Sequence, residues 1–277
     1  MGALDQIASW PVPNAAASVV AADGAMVDLH GDIDRPFRLA SITKVIVGWT
    51  AMIAVEEGVI GLDDAAGQPG CTFRHLLAHA GGYAFDGAEP IAEPGRRRIY
   101  SNAGIEVAAD AIGAAAGMPF STYLAEAVLQ PLGMDASELR GSPAHGVTST
   151  VRDVARMLAE LQRPTLLSPA GAAECVTVQY PDLGGIVPGV GRFDPCPWGL
   201  GLEIRGDKTP HWTGTSNAPS TFGHFGGAGT MAWVDPAAGC ALVALTDRPF
   251  DDWPDALESW RRLSDDVVAE FAGSHTS

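Results

Sequence analysis

Ser41-Ile42-Thr43-Lys44-Val45-Ile46-Val47-Gly48-Trp49-Thr50-Ala51-Met52-Ile53-Ala54-Val55 is the stretch on which the reading of this chain turns. The protein has 15 arginines but only two lysines, and one of them, Lys44, opens a run of eleven uncharged residues that ends at Glu56. Burying an ammonium is costly unless it is paired or gives up its proton. On a helix, residues three apart share a face, so the Ser41 hydroxyl and the Lys44 amine meet. The partial positive charge of a helix N-terminus and apolar surroundings both favour the neutral amine, which can accept the serine proton. This is the arrangement of an activated serine nucleophile. Taken alone, Ser-x-x-Lys is a weak pattern, and a snorkelling helix lysine is its commoner explanation.

Two further triplets change the balance. Tyr100-Ser101-Asn102 lies about sixty residues on, and His224-Phe225-Gly226 lies well beyond it. A serine, then an aromatic-hydroxyl/amide triplet, then a basic-x-Gly triplet, in this order, resembles the penicillin-recognising serine hydrolases. The resemblance is to the branch of the class C β-lactamases, D-Ala-D-Ala carboxypeptidases, D-aminopeptidases and esterases. The connecting text is similar too: Phe37 to Ser41, Phe73 to His79 with Gly81-Gly82, Pro94-Gly95, Pro131 to Met134, Ser149 to Ala155, Trp198 to Gly201, and Gly223 to Asp247. It runs from about residue 37 to 248, and the set is far more specific than any one member.

The resemblance implies an α+β fold of the β-lactamase/transpeptidase type, with an antiparallel sheet from the N- and C-terminal parts flanked by helices. The hydrophobic pattern agrees. Ala17 to Ala22 and Met26 to His30, split by Asp23-Gly24, predict a hairpin. A nucleophile helix follows from about Ser41 to Glu57, stopped by Gly58. Residues 61–190 read as mostly helical, strands return at Gly199 to Ile204, Gly229 to Val234 and Cys240 to Leu245, and a final helix covers about Asp255 to Ala272. The 277 residues are expected to form a single catalytic domain, with a sheet-containing part at 1–60 and 191–277 and a mostly helical part at 61–190.

Composition narrows the partners. A formal net charge of −16 argues against nucleic acid and anionic membrane surfaces. No apolar run approaches the ~18 residues of a membrane span. Met1 to Pro13 lacks a basic segment and carries Asp5, so no signal peptide is read there and a cytoplasmic location is expected. Cys71, Cys175, Cys196 and Cys240 are widely spaced and read as reduced thiols. Oligomeric state is not legible.

The site residues carried by the resemblance are Ser41 as nucleophile, Lys44 and Tyr100 as proton acceptors, and Asn102 holding Lys44 or the substrate amide. His224, Phe225, Gly226 and Gly227 are expected to line the substrate, with the backbone N–H groups of Ser41 and Gly227 as oxyanion hole. Tyr100, beside an ammonium, is expected to have a lowered pKa. Ser101 reads as packing, and Arg96-Arg97-Arg98 as a solvated loop, with entry of an acidic substrate there as the alternative. His75 and His79 have the i, i+4 spacing of a metal pair but no acidic residue between them, so they read as structural; neither a metal nor a cofactor is called for. Lys208-Thr209-Pro210 imitates a Lys-Thr-Gly triplet but reads as a turn, so that Lys208→Arg is expected to be nearly silent in activity. Gly214 to Ala218 imitates a nucleophile elbow without the strand that motif needs.

These expectations converge on hydrolysis of small esters or amides through an acyl-enzyme. Hydrolysis of β-lactams or D-amino-acid peptides is the first alternative, and a ligand-binding relative without catalysis the second.

Overall fold

Two apolar runs near the C-terminus, Thr230–Asp235 and Cys240–Thr246, have no polar alternation because the sheet they build is covered on both faces. The computed structural model describes residues 2–272. In chain order its strands are β1 (Ala15–Ala21), β2 (Met26–His30), β3 (Phe37–Arg38), β4 (Glu138–Leu139), β5 (Val147–Ser149), β6 (Gly185–Val187), β7 (Gly191–Phe193), β8 (Glu203–Ile204), β9 (Phe222–Gly226), β10 (Thr230–Asp235) and β11 (Cys240–Thr246). The helices are α1 (Thr43–Glu56), α2 (Phe73–Leu77), α3 (Asn102–Ala116), α4 (Phe120–Leu124), α5 (Val151–Gln162), α6 (Pro169–Cys175) and α7 (Ala256–Phe271).

The main sheet has six strands in the order β2-β1-β11-β10-β9-β8, antiparallel throughout. N- and C-terminal segments thus share one sheet, as the pattern of strands predicts; the middle of the chain supplies α2 to α6, but loops and the short strands β4 to β6 take up much of it, so this part is not mostly helical, contrary to expectation. Side chains alternate across the strands. Val20, Val234, Val243 and Leu245 face the core that holds α1 and α5. Val19, Trp233, Leu242 and Ala244 face a second core, closed by Trp260, Leu263 and Val267 of α7 and by Leu4 and Ile7 of the N-terminal 3-10 helix.

α1 is the centre of the first core. Every residue from Thr43 to Ala54 is buried, so the helix is apolar all round rather than amphipathic. It ends before Gly58, which adopts φ +73. The predicted strand Gly199 to Ile204 is shortened to Glu203–Ile204 because the preceding residues do another job. Gly201 has φ +78, donates its N–H to Leu77 O, and lies against Gly48 of α1, where a Cβ would meet Leu200 O at 2.2 Å. Backbone packs on backbone here, which is what brings α1 close to the sheet. β9, on the other hand, is a strand that its Gly223, His224 and Gly226 conceal in the sequence.

Gly48→Ala is expected to destabilise the protein by roughly 1–3 kcal/mol through overpacking, although alanine is the better helix former. A thermal-denaturation midpoint at or above that of the wild type would show that the α1 contact relaxes freely.

Candidate active site

The turn that carries Ser41 is fixed by the strands behind it. Ser41 sits in a 3-10 turn, Ala40–Ile42, that leads directly into α1. Ala40 adopts φ +49, a left-handed conformation that a non-glycine residue holds only when its surroundings impose it. Those surroundings are β9 and β10: Thr230 Oγ1 donates to Leu39 O at 2.8 Å, and a Cβ on Gly226 would lie 2.4 Å from that same carbonyl. Gly226 is therefore required for close approach, and Ser41 is pressed against the sheet end.

Lys44 is wholly buried. Its Nζ lies 3.1 Å from Ser41 Oγ, 2.7 Å from Asn102 Oδ1 and 2.9 Å from Ala144 O. Asn102, the first residue of α3, is oriented by donating its Nδ2 to Asp86 Oδ1 at 3.0 Å, which leaves Oδ1 toward the lysine. Tyr100 donates its hydroxyl to Ser41 Oγ at 2.7 Å. The donor count is informative. A neutral amine has two N–H groups and one lone pair. Asn102 Oδ1 and Ala144 O are pure acceptors and take the two N–H groups. The lone pair then faces Ser41 Oγ, whose proton is free to point at it because Tyr100 donates to that oxygen. Burial lowers the Lys44 pKa to about 7, against the opposing pull of Asp86 and Glu106.

An aromatic box surrounds this triad. Tyr100 packs on His79 (4.7 Å between ring centroids), on Trp198 (5.8 Å) and on His224 (5.6 Å), and Lys44 Nζ lies 4.8 Å from the Tyr100 ring. Burial in this box raises the Tyr100 pKa, which overturns the expectation of a lowered one. The hydroxyl is consequently a proton donor in the resting site, and Lys44 is the group there whose proton is easily lost. His79 accepts the Ser101 N–H on Nδ1 at 3.2 Å, so its role is to seat the Tyr100 segment. Its partner in spacing, His75, stays at α2, where Thr72 N–H donates to its Nδ1.

His224, on the α1-facing side of β9, is buried and held by a 2.6 Å contact from Nδ1 to Phe225 O. The carbonyl can only accept, so Nδ1 carries the proton and Nε2 is an acceptor without a partner among the described residues. Burial, with Lys44 nearby, lowers its pKa to about 3. Phe225 points to the opposite face, against Trp212, Phe250 and Trp260, and still reaches the rim of the nucleophile pocket. That pocket, about 190 Å³, is lined by Ser41, Tyr100, Trp198, His224 and Gly227, with Phe85 at its edge.

Several residues behave differently from the sequence reading. Ser101 is the N-cap of α3: it accepts the Gly104 N–H at 2.9 Å and donates to Ala84 O at 2.6 Å. The arginine triplet is not one solvated loop. Arg96 is exposed, but Arg98 is buried and donates to the carbonyls of Ala78, Gln179, Tyr180 and Cys196. Lys208 is likewise no ordinary turn residue. It is buried, 2.8 Å from Glu203 Oε1, and donates to Ile204 O and Pro197 O. Arginine is too large and planar for those three contacts, so Lys208→Arg is expected to perturb the packing here rather than to be nearly silent. Gly214 and Ser216 are occupied by Asn217 and Asp265, away from the nucleophile. Ala144 O and Asp86 went unseen in the sequence, and Trp198 was matched in the connecting text without a place in the site; a backbone carbonyl leaves no signal there, and an exposed aspartate sixteen residues from its partner leaves little.

Comparison with known proteins fits this fold. The family model described as Beta-lactamase matches residues 12–266. A crystal structure of a beta-lactamase from Mycobacterium bovis superposes with a TM-score of 0.95 at 49% identity, over 98% of this chain and 99% of that one. EstCE1, a hydrolase with promiscuous acyltransferase activity, superposes with a TM-score of 0.75 over 96% of each chain; at 18% identity this is a likeness of fold. A curated relative from Escherichia coli O157:H7, provisionally assigned as a D-alanyl-D-alanine carboxypeptidase, is 27% identical over 202 residues, which are 57% of this chain and 46% of that protein. The chain thus spans about half the length of the curated relatives it matches. Among the described residues no helix is long and apolar enough to cross a membrane.

The presence of only two lysines makes the Lys44 amine directly observable. In a carbon-13 lysine-labelled sample, with Lys44→Arg used for assignment, the Lys44 resonance is expected to titrate at about pH 7. A Lys44 signal that stays protonated up to the ordinary lysine range near ~10.4 would contradict the geometry described above.

Proposed function

The chain belongs to the beta-lactamase family, and from that premise we propose that it hydrolyses small esters through an acyl-enzyme on Ser41. The observation that carries this reading is the Lys44 amine: 3.1 Å from Ser41 Oγ, with both other contacts made to carbonyl acceptors and a pKa of about 7. Ser41 Oγ bonds to the substrate carbonyl carbon while its proton passes to the Lys44 lone pair. The resulting oxyanion is held by the backbone N–H groups of Ser41 and Gly227. As the carbon–oxygen bond to the leaving group breaks, Tyr100 gives its hydroxyl proton to that group and is refilled from the Lys44 ammonium. Water then repeats the sequence on the acyl-enzyme and restores Ser41.

Preference for an uncharged ester over a β-lactam rests on His224. Penicillins and cephalosporins carry a carboxylate that relatives meet with a lysine and a hydroxyl at this triplet. Here the lysine's place is taken by a neutral imidazole presenting a lone pair, and the hydroxyl's by Phe225. Losing a charge-assisted hydrogen bond costs ~1.5–3 kcal/mol, about ten- to a hundredfold in affinity. A substrate N–H or O–H suits Nε2; a carboxylate does not. The second reading, cleavage of a D-amino-acid peptide, takes its support from the assignment of the curated relatives.

Short-chain p-nitrophenyl esters are accordingly expected to be turned over efficiently and nitrocefin poorly. A fluorophosphonate is expected to label wild type once, with a rate that climbs as pH passes about 7 and the Lys44 amine loses its proton, and to leave Ser41→Ala unlabelled by intact mass. Lys44→Arg removes the base and is expected to cost ~10²–10⁴-fold in ester turnover. Efficient nitrocefin hydrolysis would overturn the ester preference, and undiminished labelling of Ser41→Ala would move the nucleophile elsewhere.

A further inference from the structure

A larger cavity, about 700 Å³, opens beside the nucleophile pocket and shares Phe85, Tyr100 and Pro188 with it. One wall is the segment Arg97–Tyr100; the other is the hairpin of β6 and β7. The two walls are tied together: Arg98 N donates to Gly184 O at 3.0 Å, and a Cβ on Gly185 would meet Arg98 Cβ at 2.9 Å. The cavity is therefore built into the fold.

Its lining combines apolar surface with positive charge. Phe85 and Ile186 are 50% and 57% exposed, two of only five large hydrophobic side chains so exposed among the described residues. Ile186 pairs across the hairpin with Arg192, so their side chains emerge together on one face. Arg97 stands on the opposite wall. Both arginines are exposed, and neither has an ion-pair partner among the described residues, although the chain carries a net charge of −16. Arg98 contributes charge from below but its N–H groups are spent on carbonyls. Asp194 is the one acidic lining residue, and it lies against Gly184. His224 does not reach this cavity.

We propose that this cavity selects substrates with an apolar body ending in a carboxylate, the body lying on Phe85 and Ile186 and the carboxylate between Arg97 and Arg192. The inference rests on the ester-hydrolase reading of Ser41 and deepens it: the anion is recognised on the Tyr100 side of the nucleophile, away from the neutral His224. A monoester of a medium-chain dicarboxylic acid has this chemistry. Because both arginines are exposed, each contributes modestly and the attraction is screened by salt.

The test pairs p-nitrophenyl hexanoate with mono-p-nitrophenyl adipate. In wild type the ratio of kcat/KM, adipate over hexanoate, is expected to exceed that of the Arg97→Gln/Arg192→Gln double variant by about three- to tenfold, and to fall toward it as salt is raised. A parallel arm needs no turnover: calorimetric binding of monomethyl suberate against dimethyl suberate to Ser41→Ala, with and without the two glutamines. Selectivity for the monoacid that depends on the arginines supports the inference even if neither ester is cleaved, an outcome that would instead sink the esterase reading. Equal affinity for the two suberates, or a selectivity unchanged by the double substitution, overturns the inference even in an active esterase.

Discussion

Burial of Lys44 among partners that carry no charge is the constraint on which this structure depends. An ammonium in that position would have three acceptors but no counter-ion in contact, so desolvation outweighs what hydrogen bonding returns and the proton is loosely held. The other lysine shows the opposite solution. Lys208 is equally hidden, but Glu203 lies 2.8 Å from it, and that carboxylate, which burial alone would push up, is drawn well below its usual range by the lysine. One buried cation is matched to a charge and serves the fold. The other is matched to dipoles and is free to exchange its proton.

Keeping Lys44 in that state requires three separate parts of the chain. α1 is apolar on every side, so it can only sit in the core, and Gly48 and Gly201 allow it to lie against backbone. α3 presents Asn102 because Ser101 caps its first turn and Asp86 fixes the amide. The loop before β5 brings Ala144 O to the amine, and that loop is itself held by Ser142, which donates to Glu106. Loss of any one of these partners would leave a buried polar group unsatisfied, which is why the site and the packing cannot be altered independently.

The aromatic box sets the other half of the chemistry. His79, Trp198 and His224 remove water from around Tyr100, so its hydroxyl keeps its proton and donates to Ser41. The rings also fix its position at small conformational cost. The same burial makes His224 neutral, and the Phe225 carbonyl decides which nitrogen offers the lone pair. The His224-Phe225-Gly226 triplet therefore presents a neutral acceptor rather than a cation.

The sequence by itself determined the elements whose signal is local. The charge-free run after Lys44 specified a buried helix, the Ser41–Lys44 spacing specified their contact, and the apolar runs near both chain ends specified strands that share one sheet. The order of the three triplets was enough to indicate the family. Tertiary structure alone decided the protonation states, because those depend on which groups are desolvated together: Tyr100 is raised rather than lowered, and the lysine of the false Lys-Thr-Pro triplet is a buried ion-pair partner. It also divided Arg96, Arg97 and Arg98 among solvent, cavity and core, a distinction that three identical side chains in a row cannot carry. The physical reason is the same in each case. Periodicity and spacing report which face of an element is buried, whereas a pKa or a binding surface is set by atoms brought together from distant parts of the chain.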